Sequence, residues 1–180
     1  MRKVLHVGCG DYHPLRVHPI FRFGDWQEIR FDIDPNVKPD LIGTMTDMSS
    51  VEDGGFDAIF SSHNVEHLYP HEVPVALSEF RRVLKPGGFA LITLPDIQAV
   101  AQLVAADRLE DTAYISPAGP ICPIDMMYGL RSSMAAGNLY MAHRTAFTAK
   151  TLGQHLLNAG YSEVSVRHGE GYDLWALAVK

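Results

Sequence analysis

Val4-Leu5-His6-Val7-Gly8-Cys9-Gly10 is an apolar run that feeds directly into a Gly-x-Gly turn. About twenty residues later a second run, Glu28 to Ile33, ends in Phe31-Asp32-Ile33-Asp34-Pro35. A glycine turn after a first strand and a carboxylate at the tip of a second make a nucleotide-type site in an open α/β sheet. Glycine carries no Cβ, so the backbone of such a turn can approach a ligand closely. A carboxylate at the neighbouring tip can accept from both hydroxyls of a ribose. An adenosine-bearing cofactor is the first expectation.

Outward from this stretch the pattern alternates between strand and helix. Val4 to Val7 reads as the first strand and Glu28 to Ile33 as the second. The segment between them holds Pro14 and Pro19 and shows little helical periodicity, so its crossover helix is expected to be short or degraded. Asp40-Leu41-Ile42 is a brief third strand. Asp57 to Ser61 is a fourth, introduced by the turn residues Asp53-Gly54-Gly55. The spacing of Val73, Leu77, Phe80 and Leu84 predicts a helix over Pro70 to Leu84, with Pro74 tolerated in its first turn. Lys85-Pro86-Gly87-Gly88 should stop that helix, and Phe89 to Leu94 follows as a buried fifth strand. Thr148 can cap a last helix that runs through Ala159 to Gly160. Glu163 to His168 and Tyr172 to Val179 then form a closing hairpin. Residues 95–145 break the alternation with Pro117, Pro120, Pro123 and four methionines. They read as a loop-rich insertion at the carboxyl edge of the sheet, where ligands bind.

Composition narrows the function. A chain of 180 residues suits one domain with a sizeable core. A formal charge of -6 disfavours nucleic acid as the main partner. The two cysteines, Cys9 and Cys122, make neither a disulfide framework nor a Cys-x-x-Cys pair, which points to a reducing, cytoplasmic setting. No apolar stretch is long enough to span a membrane, and no charged-then-apolar leader is visible.

Taken together, VLHVGCG, RFDIDP, GGFDAIFSSHNVEHL, FRRVLKPGGFALITLP and FTAKTLGQHLLNAGY resemble, in order and spacing, a class I S-adenosylmethionine-dependent methyltransferase of the small-molecule, methyltransferase-11-like type. The resemblance implies a Rossmann-like seven-stranded sheet, mostly parallel with the last strand antiparallel, flanked by helices. It implies S-adenosyl-L-methionine as cofactor and a small-molecule methyl acceptor, in a single domain over 1–180 with an acceptor-side insertion at 95–145. His6, Gly8, Cys9 and Gly10 would border the methionine half. Asp32, with Ile33 beside it and Asp34 as a helper, would hold the ribose. Thr44 and Met45 fall where the family contacts adenine, with Asp47 and Met48 as the fallback. Ser61, Ser62 and His63 would lie near the transferable methyl group. The chain departs from the pattern at His6, where the family usually has an acidic residue, and at Asp11-Tyr12, where a third glycine is missing. Only Met1-Arg2-Lys3 precede the first strand, so the cover that other members build from helices ahead of it is expected from the insertion or from a partner subunit in a homo-oligomer.

Methyl transfer from a sulfonium needs no metal, and none is assigned. Alignment of acceptor, methyl carbon and sulfur carries most of the chemistry. Where a base is needed, His63 and His67 are the nearest candidates, with His143 and Tyr128 of the insertion behind them. Each has a plainer reading. His63 can simply hydrogen-bond loop backbone, and Glu66-His67 reads first as a structural pair at the start of the helix. Met126, Met127, Met134 and Met141 read first as core filling, and Arg81-Arg82 as a solvated face that complements the helix dipole. Two other functions stay open: a non-catalytic protein that binds S-adenosylmethionine or S-adenosylhomocysteine, and a nicotinamide-dependent oxidoreductase. The second is disfavoured because His13 stands where Gly-x-Gly-x-x-Gly would need its last glycine.

Overall fold

The computed structural model describes residues 1–180. In chain order the elements are β1 (Arg2–Val7), β2 (Trp26–Asp32), β3 (Leu41–Ile42), β4 (Phe56–Ser62), α1 (Val73–Val83), β5 (Leu84–Pro95), α2 (Ile97–Ala105), β6 (Tyr114–Ser116), β7 (Gly119–Ile121), α3 (Pro123–Tyr128), α4 (Arg131–Ala135), α5 (Ala149–Asn158), β8 (Glu163–His168) and β9 (Asp173–Val179). Seven strands form one sheet in the order β3-β2-β1-β4-β5-β9-β8. β1 pairs in parallel with both β2 and β4, so the strand read first in the sequence lies near the middle of the sheet. β9 runs antiparallel to β5 and to β8, and all other pairs in this sheet are parallel. The sheet is the Rossmann-like, mostly parallel one that the family resemblance implies.

Alternation along β1 divides the core. Leu5 and Val7 face a cluster with Ile59, Ile92 and Leu174 under α1 and α5, which contribute Leu77, Phe80, Leu152 and Leu156. Val4 faces the other side with Ala58 and Phe60. There the chain between β1 and β2 has no α-helix, only a 3₁₀ turn at Pro19–Phe21. Val17 and Phe21 of that segment cover the second face in place of a crossover helix.

Three boundaries differ from expectation. α1 starts at Val73 rather than Pro70, because Tyr69 to Glu72 close a turn of their own, with the Tyr69 N–H donating to Glu72 Oε2 at 2.8 Å. Leu84 turns to extended geometry and opens β5, which takes in the Lys85–Gly88 stretch across a register shift against β4. Residues 95–145 are far more regular than their prolines suggest. α2 begins immediately after β5, capped by Asp96, whose carboxylate accepts from the Gln98 N–H at 3.0 Å. The β6–β7 hairpin, α3 and α4 then gather around a small core of Val100, Ile121 and Met126. No helix in the molecule is long and apolar enough to cross a membrane.

Candidate functional site

At the carboxyl end of β1 the chain turns through Gly8 and Gly10, with φ of +64° and +59°. Both values lie in the left-handed region that favours glycine. The close approach at Gly8 comes from Asn64: a Cβ on Gly8 would sit 1.9 Å from Asn64 Oδ1. Asn64 is itself held, since its amide donates to Val7 O at 3.0 Å and Ser62 O at 2.9 Å, tying the tips of β1 and β4 together. The Gly10 N–H donates to Asp32 Oδ2 at 2.8 Å, and the Asp34 N–H to Asp32 Oδ1 at 2.9 Å. Asp32 therefore clamps the glycine turn to the tip of β2. Each oxygen keeps a second lone pair for a ligand. Arg30 supports the same turn from outside by donating to the Gly10, Val37 and Lys38 carbonyls.

These tips border a chamber of about 540 Å³, within the usual range for small-molecule sites. Gly8, Gly10, Asp32, Ile33, Thr44, Met45, Ser62 and His63 line it. Asp34 and His67 line it as well, while His6, Cys9, Ser61, Met48 and Asp47 lie elsewhere. His6 is buried in the second core face with its Nδ1 2.6 Å from Glu28 Oε1. Cys9 faces inward, and burial pushes its thiol up to about 11, so it is inert at neutral pH. Ser61 and Met48 are fully buried, which follows from strand alternation for Ser61 and from core packing for Met48. Asp47 points to a separate hollow between the Thr46–Asp53 stretch and α1. That hollow, about 800 Å³, is open to solvent and dominated by the ion pairs of Arg82 with Glu79 and Asp53.

Several chamber residues were not visible in the sequence. Arg16, from the irregular segment after β1, reaches the chamber beside Gly10. Asn138, Tyr140, Met141 and Arg144 reach it from the insertion. No local pattern marks them, because they come from chain without periodicity. The Asn-x-Glu-His turn at Asn64 to His67 is the one readable signal, with His67 a candidate base and Glu66-His67 reading first as a structural pair.

A second cavity, about 160 Å³, lies on the insertion side between Pro95, Tyr114, Ile121, Met126, Leu130 and Tyr172. His63, His67 and Met141 line both this cavity and the larger chamber. His63 holds φ of +54°, a left-handed conformation uncommon for a non-glycine residue. Its Nδ1 lies 3.3 Å from Glu66 Oε1. Burial would lower the His63 pKa, but the adjoining Glu66 carboxylate outweighs it and raises it above the ordinary histidine value. Burial would likewise raise the Glu66 carboxyl, yet His63 and the neighbouring His67 and His143 hold it below the usual carboxylate range. His143 borders the smaller cavity, and burial lowers its pKa, so its ring is neutral at pH 7. Tyr128 is not brought in: its side chain lines neither cavity and is 59% exposed. Only its carbonyl takes part, accepting from the His143 N–H at 3.1 Å. One ligand atom from each of Glu66, His67 and His143 falls within 4.8 Å of the others.

A family model described as a methyltransferase domain matches residues 5–92, the stretch that carries β1 to β5. No curated protein matches the sequence. Among solved structures, a SAM-dependent methyltransferase from Archaeoglobus fulgidus aligns over 99% of this chain and 86% of its own, with a TM-score of 0.62 and 17% identity. A SAM-dependent methyltransferase from Thermotoga maritima aligns over 100% of this chain and 83% of its own, at a TM-score of 0.63 and 15% identity. The 1,6-didemethyltoxoflavin-N1-methyltransferase of Burkholderia thailandensis was solved with 1,6-didemethyltoxoflavin and S-adenosylhomocysteine bound. It aligns over 99% of this chain and 71% of its own, at a TM-score of 0.59 and 13% identity. At these identities the likeness is one of fold.

Proposed function

We propose that the chain is a class I S-adenosylmethionine-dependent methyltransferase and that it transfers a methyl group to a small-molecule acceptor held in the cavity on the insertion side. The observation that carries this reading is the pair of adjoining cavities with His63, His67 and Met141 common to both. A cofactor site and an acceptor site must meet at one point for transfer to occur in line.

When bound, S-adenosylmethionine supplies a methyl group on a sulfonium, which departs as a neutral thioether. The residues of the chain bind, orient and exclude water. Asp32 has the free lone pairs to accept from the ribose hydroxyls, and the glycine cradle leaves room where a Cβ at Gly8 would collide with Asn64. Thr44 and Met45 are assigned to the adenine side, Gly8 and Gly10 to the methionine half. Arg16 beside Gly10 has no side-chain partner and is assigned to the cofactor carboxylate, a charge-assisted contact. His63 at the junction is assigned to orienting the acceptor. The insertion serves as wall and cover over the acceptor side, where exclusion of water protects the reactive geometry. A net charge of -6 supports a small molecule rather than a nucleic acid as acceptor, and two unpaired thiols fit a reducing, cytoplasmic compartment.

The test is isotope-labelled methyl transfer from S-adenosylmethionine into a metabolite extract, with calorimetry against S-adenosylmethionine and a nicotinamide dinucleotide in parallel. Expected is heat from the first ligand alone and label in a low-mass product. Heat only from the dinucleotide overturns the reading. Cofactor binding with no labelled product favours a non-catalytic binding protein.

A further inference from the structure

Glu66 is 1% exposed, and neither carboxylate oxygen accepts a hydrogen bond, although His63 lies alongside. A buried carboxylate with one imidazole contact and no hydrogen bond is costly, and such groups are normally hydrogen-bonded or coordinate a metal. Two further imidazoles, those of His67 and His143, adjoin it. We propose that Glu66, His67 and His143 bind a divalent transition-metal cation at the junction of the two cavities, with its open positions toward the acceptor. The proposed role in turnover rests on the methyl-transfer reading; the cation site does not.

The surroundings of the two rings support ligation. His143 Nδ1 lies 2.8 Å from Met126 O, which fixes the proton on that nitrogen and leaves the Nε2 lone pair bare. This is the outer contact that metal-bound histidines make, with the second ring nitrogen donating to a carbonyl. His67 has a carbonyl near each nitrogen, Ala142 O at 3.2 Å and His63 O at 3.1 Å. A neutral ring can donate to only one of them, so the other nitrogen presents a lone pair. The two rings pack edge to face with centroids 4.9 Å apart.

The backbone holds the three together in advance. The Arg144 and Thr145 N–H groups donate to Glu66 O at 2.8 and 3.1 Å, Arg144 Nη1 donates to His67 O at 3.0 Å, and the Thr145 hydroxyl donates to Leu68 O. The chain after His143 is thus laced to the turn that carries Glu66 and His67. Ligand atoms around a tetrahedral zinc stand about 3.4 Å apart, given bonds of about 2.1 Å. From a spread of 4.8 Å the site closes by side-chain rotation on the order of an ångström. One carboxylate and two imidazoles favour zinc, cobalt or iron over magnesium or calcium, and three protein ligands leave room for a substrate atom.

This geometry also selects an acceptor class. A hydroxyl oxygen on the cation is acidified and releases its proton to solvent more readily. Its lone pair then forms the C–O bond as the C–S bond breaks, with that electron pair going to sulfur. An alcohol or phenol, rather than a carbon acceptor, is the class the site suits.

The experiment is calorimetric titration of chelator-stripped protein with Zn²⁺ and Co²⁺, and visible absorption of the Co²⁺ form. Expected is one cation per chain and cobalt bands typical of nitrogen and oxygen ligands. His143→Ala, His67→Ala and Glu66→Gln should each weaken binding roughly a hundredfold or more, while His13→Ala leaves it unchanged. Circular dichroism melts identify any variant that fails to fold. His143→Gln, which keeps much of the side-chain volume, provides the second reading there. Absence of stoichiometric binding, or affinity unchanged in folded variants, overturns the proposal. S-adenosylmethionine binding is measured on the same stripped sample. Cofactor binding without cation binding sinks this inference alone. Cation binding without cofactor binding upholds the site and sinks the methyl-transfer reading.

Discussion

Gly8 and Gly10 share a left-handed backbone but not a neighbourhood, and the difference is measurable. An alanine at Gly8 meets Asn64, which cannot retreat because it bridges the Val7 and Ser62 carbonyls. An alanine at Gly10 meets only the tip of the flexible Arg16 side chain, 2.1 Å from the new Cβ. Gly10→Ala should therefore cost about the left-handed penalty alone, roughly 1–2 kcal/mol. Gly8→Ala should cost more in thermal unfolding and abolish cofactor binding in calorimetry. Equal losses for the two would mean that Asn64 is not the constraint. Asp32 offers a second comparison, because its carboxylate both organises the turn and faces the chamber. Asp32→Asn keeps the volume but removes the charge and one of the two acceptors, since its NH2 cannot accept from the Gly10 or the Asp34 N–H. A charge-assisted hydrogen bond is worth about 1.5–3 kcal/mol, so cofactor affinity should fall roughly tenfold to a hundredfold while the protein stays folded. Unchanged affinity would put the ribose elsewhere. The glycines and Asp32 could be read from the sequence because each is a local demand of a turn. Asn64 and Arg16 could not, because their roles exist only across the gap between strands.

Among the elements, the one that departs most from expectation is the 95–145 stretch. Its prolines suggested loops, yet Pro123 occupies the first turn of α3, where a missing N–H costs nothing. The apolar face of α2, with Ile97, Val100, Leu103 and Val104, went unread beside Pro95. Asp125 holds the later part of this stretch, accepting from Cys122 N at 3.1 Å and Arg131 Nε at 2.8 Å. Burial would raise its carboxyl, but Arg131 and the backbone donors outweigh that and hold it below the ordinary range. A carboxyl depressed in the folded state stabilises fully above its unfolded pKa, about 4, and loses that contribution as pH falls through the lower folded value. Amides of residues 97–145 should thus lose protection below about pH 4, before those of the sheet. Asp125→Ala should produce the same selective loss at neutral pH. Rate-corrected hydrogen exchange checks both, and a uniform loss across sheet and insertion would show that Asp125 does not anchor this stretch.

For the whole molecule, cofactor binding must appear as stability. A ligand at a hundred times its Kd adds about 2.7 kcal/mol, and for a chain of this size that raises Tm by roughly 5–10 °C. S-adenosylhomocysteine should produce such a shift in a thermal melt and a nicotinamide dinucleotide should not; the reverse would end the proposed function. The sequence by itself determined the alternating strands, α1, α5 and the closing hairpin, while the order of the strands in the sheet came with the tertiary structure. The sequence also determined the glycine turn with Asp32 beside it, at the carboxyl ends of β1 and β2. These are features of period and turn chemistry, which act over a few neighbouring residues. The tertiary structure alone decided what faces what. It turned His6, Cys9, Ser61 and Met48 into the core, brought Arg16 and Tyr140 to the chamber, and left Tyr128 in solvent. It also set His143 beside Glu66 and His67, residues more than seventy positions earlier in the chain. That juxtaposition depends on how a segment without periodicity packs against a distant strand tip. Such packing depends on the summed burial and hydrogen bonding of the whole chain, and no local pattern encodes it.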